Sequence, residues 1–141
     1  MGLPSQAINS ILNLSNEERY KYAIKRIADS RVLYVLADDD ENWSLWSDDQ
    51  GHTSLAIWPE MEFAKISLEE DGDVELSIFE LELEMFLEEG IPWLMENNFG
   101  IALFPTPNNS TITDIGAIQF ASVINQILDE SYGEALDLPY L

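Results

Sequence analysis

Between residues 15 and 31 the apolar positions Tyr20, Ala23, Ile24 and Ile27 recur at helical spacing, while Arg19, Lys21, Lys25 and Arg26 lie off that face. Ser15 followed three residues later by Glu18 forms a capping box, in which each side chain satisfies an orphan amide at a helix start. The pattern predicts a helix over 16–30 with its basic residues turned to solvent, preceded by a short lead-in helix from Ala7 to Leu12. Glu17 with Lys21 and Lys25 with Asp29 are i,i+4 pairs, each adding about 0.2–0.5 kcal/mol.

The period then changes. VLYVLA, from Val32 to Ala37, is short, apolar and β-branched, and reads as a strand ended by the acidic loop Asp38-Asp39-Asp40-Glu41. NWSLWS and TSLAIW follow, separated by Asp48-Asp49-Gln50-Gly51-His52, and predict a hairpin. A three-residue turn, Asp49-Gln50-Gly51 with the glycine left-handed, sets Trp43 opposite Ile57 and Leu45 opposite Leu55. It also places Trp46 and Trp58 together on the second face. Either a helix covers that face or it offers aromatic surface to a partner. Pro59 suits the first position of a helix through Glu60 to Lys65, which would supply cover.

In VELSIFELEL, Val74, Leu76 and Ile78 occupy one parity and Phe79, Leu81 and Leu83 the other, so the phase slips at Ile78-Phe79. A β-bulge or a strand yielding to a helix accounts for the slip. Glu80, Glu82 and Glu84 are then a wetted face. A helix over 84–97 is expected, interrupted near Gly90-Ile91-Pro92 because proline cannot donate into the ladder. FGIALF reads as a further buried strand, and Thr113 as the cap of a last helix to about residue 130 carrying Ile115, Ile118, Val123, Ile127 and Leu128. The tail from Tyr132 reads as irregular. These elements predict an α+β fold: one antiparallel sheet of four to six strands packed with about three main helices. A length of 141 residues fits a single domain, 1–141, with its core at about 15–130.

Charge alters this picture more than overall composition does. Acidic residues outnumber basic ones 27 to 6, for a net charge of −21. Residues 1–31 carry a net +2, and residues 32–141 a net −23 with Lys65 as the lone base. Such a surface repels nucleic acid and anionic membrane, both of which bind through Lys and Arg, and favours a basic protein as partner. There is no cysteine, hence neither a disulfide framework nor a thiolate site. Met1 to Leu14 has neither the basic nor the long apolar region of a secretory signal, and no stretch approaches the ~20 apolar residues of a membrane helix. A cytoplasmic protein is expected.

Candidate chemistry is sparse. His52, the only histidine, sits beside Asp48 and Asp49 in a hairpin tip, where a solvated turn residue is the simpler reading than a general base. Asp38, Asp40 and Asn42 begin like a calcium loop, but Trp43 stands where glycine is required and Asp49 where glutamate is. No nucleophile elbow, phosphate loop or zinc-binding helix motif occurs. No catalytic residue, metal or cofactor is therefore expected. The candidate interaction surface is Trp46 and Trp58 with Asp38, Asp39, Asp40, Glu41, Asp48, Asp49 and His52.

Tyr20 with Lys25-Arg26-Ile27-Ala28-Asp29, Trp43 through Asp48-Asp49-Gln50-Gly51, Ile57-Trp58-Pro59, Phe86-Leu87-Glu88-Glu89 with Pro92, and Phe104-Pro105-Thr106-Pro107 follow one another in a characteristic order. That order resembles the bacterial family known as domain of unknown function 2750, over about residues 15–130. Gly90 and Trp93 depart from its pattern, as if an aromatic had moved around the helix. The resemblance implies a compact bacterial cytoplasmic domain and carries over no activity, cofactor or catalytic residue. The leading functional expectation is a non-catalytic protein-interaction module. The alternatives are an acidic immunity-type protein or nucleic-acid mimic that blocks a basic toxin or nuclease, and a small enzyme of unrecognised type. A homodimer, joined by the basic helix face on the acidic remainder of a second copy, is a further expectation.

Overall fold

The computed structural model describes residues 4–40, 42–47, 50–71, 75–105 and 113–141. Helices α1 (Ser5–Leu12) and α2 (Asn16–Ser30) lead into β1 (Val32–Ala37), and α2 begins at the Ser15–Glu18 capping box that the sequence announces. A hairpin of β2 (Leu45–Ser47) and β3 (Thr53–Ile57) follows, then α3 (Met61–Asp71) and β4 (Ser77–Glu82). Residues 83–96 are one helical run: α4 (Leu83–Met85), a π-helical segment (Phe86–Gly90) and α5 (Ile91–Glu96). Strands β5 (Gly100–Leu103) and β6 (Thr113–Ile115) precede the last helix, α6 (Ala117–Tyr132).

The fold is α+β, with two sheets in place of the single antiparallel one expected. β1 and β4 pair antiparallel, and β2-β3-β5-β6 form a second sheet whose central pair, β3 and β5, is parallel. Parallel strands need a long crossover, supplied here by α3, β4 and the 83–96 helical run. Such a pairing leaves no hairpin signature in the sequence. It does leave one trace: β5 is buried at all four residues, as a central strand covered on both faces must be. Isolated bridges, Tyr34 to Trp58 and Ala37 to Trp43, join the small sheet to the hairpin.

The hairpin register sets Leu45 opposite Leu55, with Gly51 left-handed at φ 82°, as the turn chemistry requires. Trp43 does not face Ile57; it pairs with Ala37, because β2 leaves β3 before reaching it. The phase slip at Ile78-Phe79 is not a bulge, since the β1–β4 register runs unbroken from Val32–Glu82 to Ala37–Ser77, and the strand passes directly into helix at Leu83. Near Pro92 the ladder widens instead of breaking: the Ile91 amide donates to Phe86 five residues back. This π segment lets the helix pass a residue without an amide hydrogen. Thr113 does not stand at the N-cap of the last helix, where Gly116 does. Thr113 belongs to β6, opposite Leu103, and α6 starts after Gly116 without a side-chain cap. The irregular tail is nevertheless packed, with Leu138 buried and the Tyr140 hydroxyl donating to the Leu87 carbonyl at 2.6 Å.

One core unites both sheets, with Trp58, Phe63, Phe86, Phe104 and Phe120 its largest fully buried side chains. Among the described residues no helix is long and apolar enough to cross a membrane. The core edge holds a carboxyl: Glu60 is buried, accepts from the Tyr22 hydroxyl, and lies 3.7 Å from Nε of the half-exposed Arg26. Burial, with the charge of Glu62 second, pushes its pKa from 4.5 up to about 7. The native state therefore holds this proton more tightly than the unfolded chain does. Its contribution to stability is complete below about 4.5 and is lost as the pH rises through about 7.

Glu60→Gln keeps an acceptor for Tyr22 and removes the desolvated charge. Above pH 7 it is expected to be more stable than the parent by on the order of 2 kcal/mol, the gain vanishing toward pH 4.5. Urea denaturation of both proteins across that range measures the difference directly. Superimposable pH profiles would refute this account of Glu60.

Candidate functional site

The two tryptophans of the hairpin have unequal fates. Trp46 is half-buried and packs edge-on against Trp58, with ring centroids 6.2 Å apart. Trp58 is fully buried, and its indole nitrogen donates to the Pro105 carbonyl at 2.9 Å. It is a core residue and offers nothing to a partner, which corrects the expectation of an exposed Trp46–Trp58 face. The second face is covered because Trp58 pairs with Tyr34 of β1 and joins the core containing Phe63 of α3 and Phe104.

The acidic loop after β1 is organised by Asp38. Its Oδ1 accepts from the amides of Asp40 and Asn42, each at 2.9 Å, and its Oδ2 from the Asn42 side chain at 3.4 Å. These bonds, the Asn42 amide foremost, hold its carboxyl below the usual carboxylate range. Asp38 thus orders the turn that brings the chain to Trp43, while Asp39 and Asp40 stay exposed. Glu41, Asp48 and Asp49 of the predicted surface lie outside the described residues. Among the described residues no cluster of three or more His, Asp or Glu is placed to hold a metal ion.

His52 is exposed, as a hairpin tip should be, yet it is engaged. Its Nε2 lies 2.6 Å from Oδ2 of Asp114 on β6, and the Ser54 hydroxyl donates to Oδ1 of the same carboxylate at 3.2 Å. Strand β5 runs between β3 and β6, and these side chains meet across it only because residue 100 is glycine. A Cβ there would fall 3.0 Å from Asp114 Oδ1 and 3.2 Å from His52 Nε2. In a nucleophilic triad the histidine stands between serine and aspartate. Here the aspartate stands between, and the single Ser54 proton is directed at a carboxylate. The arrangement acts as a clasp tying the hairpin end to β6.

A third feature was not among the expected site residues. Trp43 and Trp93 meet nearly at right angles, with ring centroids 5.5 Å apart and planes at 86°. With Asn42, Glu89 and Gly90 they line an open notch of about 300 Å³. Trp93 is exposed on α5, and Phe99 and Phe86 back the two indoles at 5.7 and 5.9 Å. Gly90 makes the notch possible: a Cβ at this position would lie 2.7 Å from Phe86 Cδ1 and 3.2 Å from Trp43 Cη2. The Gly90 and Trp93 departures noted in the sequence are thus the floor and one wall of a single hollow.

A family model for proteins of unknown function, DUF2750, matches residues 20–124. The chain belongs to the DUF2750 family. No curated protein matches it. The DUF2750 region contains α2 from Tyr20 onward, both sheets, the His52–Asp114 clasp and the residues described for the aromatic notch; α1 and the packed tail fall outside it. Family membership confirms the resemblance read from the ordered motifs between Tyr20 and Pro107 and brings with it no activity, substrate or partner.

Proposed function

We propose that this DUF2750 protein is a non-catalytic, cytoplasmic interaction module that binds a basic protein. The observation that supports the reading is the aromatic notch at Trp43 and Trp93, open to solvent and bordered by Glu89 in a chain of net charge −21. Exposed tryptophan set in a hollow is the residue type that most often anchors an interface, and surrounding carboxylates steer a basic partner toward it. None of the described residues lining the notch is basic.

The basic residues are largely occupied at home. Lys21 pairs with Glu17 at 3.4 Å, Arg31 with Glu134 at 3.1 Å, Arg26 approaches Glu60, and Arg19 is buried. The α2 face thus neutralises its own domain, which favours a different, basic protein over a second copy. Nothing in the family match favours the toxin-blocking or enzymatic alternatives.

Capture from the native cell at low ionic strength, followed by binding of the purified partner, tests the reading. The expected partner is a basic protein whose affinity falls at least tenfold as salt shortens the screening length from about 30 Å to about 8 Å. Recovery of no stoichiometric partner, or binding indifferent to salt, would remove the basis for it.

A further inference from the structure

The face of an indole ring is the negative side of its quadrupole. Two such faces set at 86° make a corner in which a cation is attracted to both at once. Glu89, exposed at the rim, adds a full negative charge, and Asn42 adds a neutral polar wall. Packing of Phe86 behind Trp43 and of Phe99 behind Trp93 holds the walls before any ligand arrives, so little ordering cost falls on binding.

A hollow of about 300 Å³ has room for one side chain. The angle discriminates between cations. A planar guanidinium stacks flat on one ring and meets a perpendicular second ring only with its edge, whereas a rounded ammonium contacts both faces. We infer that the Trp43–Trp93 notch is a recognition site for the ammonium group of one lysine side chain of the basic partner. The inference rests on the interaction reading above and names the chemical group recognised.

The test follows the four indole N–H resonances of the full chain during titration with a short lysine-containing peptide, and then with the same peptide acetylated at Nζ. The lysine peptide is expected to shift Trp43 and Trp93 and leave Trp46 and Trp58 in place. Acetylation, which removes the charge and keeps the stem, should weaken binding about tenfold, as should Trp93→Ala. Glu89→Gln, a milder change on an exposed position, should weaken it severalfold, and an arginine peptide should bind less well than lysine.

Equal shifts with the acetylated peptide would overturn the inference. So would binding of a lysine-rich peptide that leaves Trp43 and Trp93 unmoved; if that binding is salt-dependent, the interaction reading survives and only the notch assignment falls. Failure of every lysine-rich peptide to bind at low ionic strength overturns both.

Discussion

Trp58→Ala is expected to destabilise the protein by about 3–5 kcal/mol, the range for deleting a large aromatic from a closed core. A domain of ordinary stability has about 5–15 kcal/mol in total, so roughly a fifth or more of it disappears, and the melting temperature should fall by roughly 10–20 °C. Two losses combine: the burial of a side chain with 0% exposure, and the hydrogen bond from its indole to the Pro105 carbonyl. Trp58→Phe separates them. It restores most of the volume and leaves the carbonyl without its donor, at an expected cost of about 1–2 kcal/mol. Trp46→Ala should cost less than half as much as Trp58→Ala, since Trp46 is only half-buried. Thermal unfolding of the three variants checks the order; equal effects at the two tryptophans would refute the inequality argued from their burial.

The inequality of these two residues marks the limit of what local pattern conveys. Alternation along the hairpin correctly placed Trp46 and Trp58 on one side and matched Leu45 with Leu55. Which part of that side is covered is decided by β1 and by Phe104, elements that approach from elsewhere in the chain. The same holds for the sheet. Apolar runs identified β1, β3 and β5, and the capping box located the start of α2, because their causes lie within a few residues. The parallel pairing of β3 with β5 has no local cause, and β6, only three residues long, carries too little periodicity to be told from the helix that follows.

The candidate sites fall on the far side of that limit. Trp43 and Trp93 are 50 residues apart in the sequence, and His52 and Asp114 are 62 apart. Two glycines hold the only local signals. Gly90 and Gly100 stand where a side chain would collide with the aromatic corner and with the clasp respectively. In the sequence Gly90 read as a local exception near Pro92, and its function as a floor becomes visible only with Trp43 set against it. An apolar-strand glycine such as Gly100 is the general clue to a close approach by groups from neighbouring strands.

Arg19→Met is expected to cost on the order of 2–4 kcal/mol, although patterning alone puts Arg19 on the solvated face of α2. The residue is 4% exposed. Its guanidinium donates to the Leu14 carbonyl at 3.1 Å, to the Asn16 side chain at 2.7 Å and to the Phe104 carbonyl at 3.4 Å, and lies 5.9 Å from the Phe104 ring centroid. No carboxylate is among these partners, and burial pulls its pKa down. The cation is held by carbonyl dipoles and an aromatic face. In return it ties the α1–α2 junction to Phe104, a non-glycine residue in left-handed geometry at φ 51°, whose amide is fixed by the Ile57 carbonyl at 2.8 Å. A lysine cannot span three acceptors, since its ammonium is a point donor where the guanidinium is a fork. Arg19→Lys should therefore recover less than half of the stability lost in Arg19→Met. Urea titrations of both variants should show lowered midpoints with unchanged slopes. If lysine restored full stability, charge alone would be what this position requires, and the fork of hydrogen bonds would carry none of the effect.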